Sequence, residues 1–123
     1  MIYGIGIDIV RTERMKKAVE RWGDRFLRRV FTAREIAYAH ERSDPSLSLS
    51  VRFAAKEALI KAIGSRIPVS LTDIEVENAG SGRPFLTVKG ELEAFFGREG
   101  IHCAHLSLSH EHDYGVACVV VEK

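Results

Sequence analysis

The sequence predicts an α+β fold in the order β-α-α-α-β-β-α-β-β, with a mainly antiparallel sheet packed against a long helix. Three observations carry this expectation. Residues 2–10 alternate, with Tyr3, Ile5, Ile7 and Ile9 on one face of a strand and Gly4, Gly6, Asp8 and Val10 on the other. From about residue 47, Val51, Ala55, Ala58, Leu59, Ala62 and Ile63 recur at helical spacing on one side. At the far end Leu106 and Leu108 alternate with His105, Ser107 and Ser109, and a nearly continuous apolar run from 115 to 121 completes a hairpin.

The elements between these anchors follow from local chemistry. After the first strand Thr12 can cap a helix whose apolar stripe is Met15, Ala18, Val19 and Trp22, with a stop near Gly23. Thr32 and Glu35 fit a capping box, so a second helix starts there and runs to about Arg42. Asp44-Pro45 breaks that helix, because proline disfavours helical backbone at the residue before it. The long third helix stops at Gly64. Residues 73–77 and 85–88 read as strands around a loop rich in turn formers, 78–84. Leu92, Phe95 and Phe96 mark a short helix before Gly100. No repeats or low-complexity tracts interrupt this order.

A length of 123 residues fits one domain, 1–123, of 46% hydrophobic and 28% charged residues. The N-terminus lacks a basic region ahead of its apolar run, and no stretch approaches the ~20 apolar residues that cross a bilayer, so a cytoplasmic protein without membrane contact is expected. Cys103 and Cys118 sit towards the ends of the hairpin. A turn centred near Asp113 pairs Cys103 with about Val121, which disfavours a disulfide and leaves two buried thiols. The formal net charge is +1, yet segment 11–29 holds eight Lys/Arg against three acids. Its +5 leaves −4 elsewhere and suggests an acidic partner or a phosphate-rich ligand, the alternative being a solvated helix face.

Several chemistries lack their sequence pattern here. There is no P-loop, no dinucleotide-binding glycine motif, and no Cys/His spacing suited to zinc. The nearly balanced overall charge and the absence of a recognition motif make nucleic-acid binding a weaker, third reading, and no nucleic-acid partner is expected. His105, Ser107, Ser109, His110 and His112 crowd together, but nearness in sequence is no evidence of a Ser/His triad.

Two features point to a site. Asp8 shares its strand face with two glycines that leave the backbone open to close approach, an arrangement suited to a cation or a metal-bound phosphate; the bland alternative is a helix cap or an arginine partner. Glu57 and Lys61 lie one turn apart on the third helix, as an exposed ion pair worth ~0.2–0.5 kcal/mol would. Ala54, Ala55 and Ala58 keep that helix slim, so it can pack closely on the sheet and bring Glu57 to Asp8. Two carboxylates and a lysine make a Mg²⁺ and phosphate site, since Mg²⁺ takes few protein carboxylates.

Gly6-Ile7-Asp8, Phe31-Thr32 with Glu35, the run from Arg52 through Lys56-Glu57-Ala58 to Lys61 and Gly64, then Gly82-Arg83-Pro84 and Ser107-Leu108-Ser109-His110 together resemble the phosphopantetheinyl transferase superfamily. Within it the resemblance is to the short, single-domain bacterial holo-acyl-carrier-protein synthases. It implies the phosphopantetheinyl transferase fold, a homotrimer, and an enzyme of fatty acid biosynthesis and lipid metabolism. The reaction it implies is Mg²⁺-dependent transfer of phosphopantetheine from coenzyme A to a serine of acyl carrier protein, releasing adenosine 3′,5′-bisphosphate. By motif position Asp8 and Glu57 match the metal ligands, Lys61 the phosphate-contacting lysine, and Arg52, Gly82, Arg83, Pro84, Ser109 and His110 coenzyme-binding positions. Glu57 and a water held by the metal both stand as candidates for the general base. The basic segment, through Arg14, Met15, Arg21, Arg25, Phe26 and Arg28, then acquires the carrier protein as its partner. The rival reading is a non-catalytic module that binds an acidic protein through segment 11–29 and needs neither Asp8 nor Glu57. No role follows for His105.

Overall fold

The computed structural model describes residues 1–123. Its elements are β1 (Ile2–Arg11), α1 (Thr12–Val30), α2 (Ala33–His40), α3 (Pro45–Ala62), β2 (Ile74–Asn78), β3 (Pro84–Val88), α4 (Gly90–Glu99), β4 (Cys103–Glu111) and β5 (Tyr114–Glu122). The predicted order holds. The strands divide into a three-stranded antiparallel sheet, β1-β5-β4, and a separate antiparallel hairpin, β2-β3. Because β1 pairs with β5, the chain termini meet, and Lys123 N–H donates to the Met1 carbonyl at 2.8 Å.

The long helix α3 lies on the inner face of the three-stranded sheet. Ala54, Ala55 and Ala58 are fully buried there, as the slim-helix expectation requires. The glycines of β1 make the close seat possible. A Cβ at Gly6 would stand 1.8 Å from the Ala58 carbonyl oxygen, and one at Gly4 1.8 Å from that of Ala62. The open glycine face is therefore filled by a helix rather than left for a ligand, which corrects the expectation drawn from Gly4 and Gly6. The isoleucine face points the other way: Ile5, Ile7 and Ile9 are 62%, 60% and 61% exposed.

Helix α1 departs from its predicted cap and stop: Arg11 is the N-cap residue, no side chain caps the helix, and Thr12 Oγ1 is buried without a partner. Gly23 has φ 61° and ψ −145°, a conformation open to glycine alone, but the helix resumes beyond it and reaches Val30. Tertiary burial explains the resumption, since Leu27 and Val30 join Met15, Phe31, Ala39 and Leu49 in a second apolar cluster. The buried stripe passes from Met15 and Val19 to Phe26 and Leu27 across the kink, leaving Trp22 58% exposed instead of packed.

The capping box forms as predicted, with Glu35 N–H donating to Thr32 Oγ1 at 3.3 Å and Thr32 N–H donating to Glu35 Oε1 at 2.9 Å. The same carboxylate has a second use that spacing did not reveal. It is buried, accepts from the Val76 N–H at 2.8 Å, and pairs with Lys56 Nζ at 2.7 Å. Lys56 Nζ also donates to the carbonyls of Val30 and Leu71, at 2.8 and 2.9 Å, so its three protons are all used. Burial pulls the Lys56 pKa down while Glu35 pulls it up. This buried pair ties α1, α2, α3 and β2 together.

Asp44 caps α3 by accepting from the Leu47 N–H at 3.2 Å, and Pro45 occupies the first turn. Helix α2 has already ended at His40, so the dipeptide expected to break it serves instead to begin α3, two residues earlier than the apolar pattern suggested. The first strand of the small hairpin starts at Ile74 rather than Asp73, after a short 3₁₀ turn at Leu71–Asp73. In the terminal hairpin Cys103 pairs with Glu122, one position from the expected Val121, and Cys118 pairs with Ser107. Both cysteines are free, and both are partly exposed rather than buried.

Candidate functional site

The seat of α3 on β1 decides the first site. Asp8 lies on the inward face of β1 beyond Gly6, and Glu57 and Lys61 occupy successive turns of α3 facing it. Lys61 Nζ donates to Asp8 Oδ1 and to the Ile7 carbonyl, each at 3.0 Å. It pairs with Asp8 rather than with Glu57, so the simple i,i+4 ion pair is not what forms. Burial raises the Glu57 pKa, the Asp8 charge raises it further, and Lys61 opposes both. The two carboxylates thus share the mouth of a cleft of about 410 Å³ lined by Asp8, Val10, Arg14, Met15, Phe26, Phe53 and Glu57 among others. Such a place suits a cation and a group that carries phosphate.

The second site lies on another face of α3. Ser48, Val51 and Arg52 face a cleft of about 480 Å³ that also meets Tyr38, Arg42, Asn78, Gly82, Pro84, Leu108 and His110. Arg52 is buried. Its guanidinium donates to Asn78 Oδ1 at 2.8 Å and to Ser48 Oγ at 3.2 Å, while its Nε has no partner. Burial lowers the Arg52 pKa, and Tyr38 and Glu35 pull it back up. Tyr38 is flanked by two cations, with Arg52 4.0 Å and Arg42 4.4 Å from its ring centroid. Positive charge, an aromatic face and a half-open floor suit an anion attached to a planar base.

A family model described as the 4′-phosphopantetheinyl transferase superfamily matches residues 4–119. The chain belongs to this superfamily. The holo-[acyl-carrier-protein] synthase of Halothermothrix orenii is 42% identical over 124 residues, covering 100% of this chain and 99% of the relative. The crystal structure of the Neisseria meningitidis holo-[acyl-carrier-protein] synthase superposes with a TM-score of 0.92 at 36% identity, covering 100% of each chain. The Helicobacter pylori synthase, solved in complex with coenzyme A, gives a TM-score of 0.84 at 33% identity, covering 96% of this chain and 99% of that one. The superfamily's fold is therefore the fold of this chain, and the resemblance carried by its motifs is confirmed.

Within this superfamily framework the predicted site residues fall into separate groups. Asp8, Glu57 and Lys61 come together at one cleft, and Arg52, Gly82, Pro84 and His110 at the other. Arg83 is exposed and lines neither, and Ser109 is exposed on the sheet face away from α3. Arg14, Met15 and Phe26 border the Asp8 cleft, whereas Arg21, Arg25 and Arg28 continue as an exposed basic strip. Sequence reasoning missed Tyr38, Arg42, Asn78 and Phe53. The one local signal was the nearness in sequence of Tyr38, in the last turn of α2, and Arg42, two residues beyond its end.

Proposed function

We propose that the chain transfers the 4′-phosphopantetheine group of coenzyme A to a serine of apo-acyl carrier protein, with Asp8, Glu57 and Lys61 as its reacting centre. The juxtaposition of two carboxylates and a lysine, from a strand and a helix, beside a basic docking helix carries the reading. Asp8 and Glu57 would hold Mg²⁺: the donors are oxygens only, the cleft leaves room for water, and burial together with the nearby Asp8 charge disfavours the charged form of Glu57, a cost that a cation relieves. Bound there, Mg²⁺ would supply electrophilic neutralisation of phosphate charge. The serine oxygen forms a bond to the β-phosphorus as the phosphoanhydride bond breaks, releasing adenosine 3′,5′-bisphosphate. Lys61 places its ammonium where negative charge grows, and Glu57 is the carboxylate at hand for the serine proton. Arg42, Arg52 and Tyr38 suit the nucleotide end of the coenzyme. The direct test incubates the protein with coenzyme A, Mg²⁺ and an apo carrier protein and weighs the carrier. A gain of one phosphopantetheine mass is expected, and an unchanged mass would leave only the binding module.

The same reading gives the basic strip its partner. Arg14 stands at the cleft and Arg21, Arg25 and Arg28 lead away from it, so an acidic carrier docked along α1 would present its serine to Asp8 and Glu57, with Met15 and Phe26 as the apolar floor. Reversing Arg14 and Arg25 to Glu is expected to raise the KM for the carrier about tenfold or more while that for coenzyme A changes little. Salt should weaken the wild-type dependence as the Debye length falls below ~10 Å. An unaltered carrier KM would return these arginines to solvent.

We further read the active unit as a homotrimer in the cytoplasm, serving fatty acid biosynthesis. No helix is long and apolar enough to cross a membrane. Ile5, Ile7 and Ile9 stand exposed beside Val116, Cys118 and Val120 of β5, an unusually apolar sheet face for an isolated chain. The two clefts lie on different faces of α3, so a neighbour's Gly82, Pro84 and His110 can wall the Asp8 cleft of the next subunit in a closed head-to-tail ring. Light scattering is expected to give three chains per particle. Mixing unfolded Glu57→Gln and His110→Ala chains and refolding them together should restore activity at junctions that pair the intact halves; sites contained within one chain would stay dead in every mixture.

A further inference from the structure

Three side chains that this reaction does not use meet at the open end of the β4-β5 hairpin. Cys103 and His105 are two apart on β4 and share a face, and Cys103 stands opposite Glu122 of β5. His105 Nε2 is 3.5 Å from Cys103 Sγ and 2.5 Å from Glu122 Oε1. One ligating atom from each lies within 4.8 Å of the other two. We propose that Cys103, His105 and Glu122 form a second metal site, one for a thiophilic divalent cation, with Zn²⁺ the best match.

The donor set selects the metal. A thiolate, an imidazole and a carboxylate suit Zn²⁺, whereas Mg²⁺ takes oxygen donors alone, so this site is chemically distinct from the Asp8 and Glu57 pair. Zinc–sulfur and zinc–nitrogen bonds of about 2.3 and 2.0–2.1 Å at a tetrahedral angle put sulfur and nitrogen about 3.5 Å apart. That is the separation between Cys103 Sγ and His105 Nε2. The nitrogen and the Glu122 oxygen must part by about 1 Å to reach tetrahedral spacing. The Glu122 side chain is 37% exposed and free to make that adjustment. Binding displaces the thiol proton to solvent, the proton that His105 Nε2 shares with Glu122 is given up so that the neutral ring ligates through Nε2 with its proton on Nδ1, and the fourth position is open to water. The ladder between β4 and β5 fixes the spacing of the three positions, so little ordering remains to be done when the cation arrives. An ion here joins the two strands of the hairpin next to the meeting chain ends. All three ligands come from one chain, and they lie on the same sheet face as Ile5 and Val120, the face proposed above for the trimer.

Chelator-stripped protein titrated with Zn²⁺, and in parallel with Co²⁺ as a spectroscopic stand-in, tests the site. The expected result is a single tight Zn²⁺ per chain that excess Mg²⁺ does not displace, with a near-ultraviolet thiolate charge-transfer band in the Co²⁺ form. Cys103→Ser should abolish the band and His105→Ala should weaken Zn²⁺ binding by about tenfold or more. Cys118→Ser and Asp8→Asn should retain both the band and the affinity. Far-ultraviolet circular dichroism checks that each variant is folded, and the partial exposure of Cys103 and His105 favours that. Wild-type protein that binds no Zn²⁺ at micromolar concentration, a band that survives Cys103→Ser, or Zn²⁺ binding lost with Asp8→Asn would overturn the proposal.

Discussion

Asp8→Asn and Glu57→Gln are each expected to lower phosphopantetheine transfer by at least about a hundredfold, the scale on which removal of a single preorganised charge-stabilising group acts. Neither should unfold the protein. Asparagine keeps the Oδ1 acceptor that Lys61 meets at 3.0 Å, and Lys61 is itself 54% exposed. Glutamine removes a charge that the site resists, since burial and Asp8 both push the Glu57 pKa above its ordinary 4.5. The sign of the stability effect follows. A carboxyl whose pKa is raised on folding binds its proton more tightly in the native state. Wild-type stability therefore declines as pH rises from the unfolded value of 4.5 through the raised folded one. In the presence of a chelator, Glu57→Gln should lack that decline and melt at or above the wild-type temperature at neutral pH. Chelation should silence the wild-type enzyme and Mg²⁺ should restore it, with no restoration in either variant. Wild-type turnover in both variants would remove these carboxylates from the reaction, and unfolding would make them structural.

What the sequence disclosed, and what it withheld, divides along the range of the interactions involved. The capping box at Thr32, the proline at the head of α3 and the alternation of β1 are local, so residue type and spacing sufficed to read them. Alternation names two faces without saying which is covered, and only the seat of α3 shows that the glycine face is inside and the isoleucine face outside. The passage of α1 through Gly23 depends on what Leu27 and Val30 meet in the fold. Lys56 had no local mark of burial; its partners Glu35, Val30 and Leu71 come from three other segments. The Asp8 site was legible because its motif is specific and the alanines foretold the close helix. Tyr38, Arg42 and Asn78 reach their cleft only through tertiary packing, and Glu122 meets Cys103 and His105 only because β4 turns back on β5.

The same close seat makes Gly6 the position where the smallest change should do the most damage. Gly6→Ala adds one carbon that would lie 1.8 Å from the Ala58 carbonyl oxygen, with the Ala58 carbonyl carbon and the Ala62 nitrogen at 2.8 Å. All three are helix backbone, so no rotamer change relieves the overlap, and either β1 or α3 must move as a unit. Overpacked cores ordinarily lose about 1–3 kcal/mol, a range set largely by side chains that can yield. Here the loss should reach or exceed the upper end, against a total stability of about 5–15 kcal/mol for a protein of ordinary stability. The displacement also parts Asp8 from Glu57 and Lys61, because the helix and strand that must separate are the two that hold them. Chemical denaturation should therefore show a large fall in midpoint, and whatever folded fraction remains should turn over poorly even at saturating coenzyme A. An alanine at Gly97, where nothing lies within 4 Å of an added Cβ, should leave both quantities close to the wild type. A Gly6→Ala protein as stable and as active as the wild type would mean that the contact between β1 and α3 is looser than this structure makes it, and that the approach of Asp8 to Glu57 is not held by the glycines.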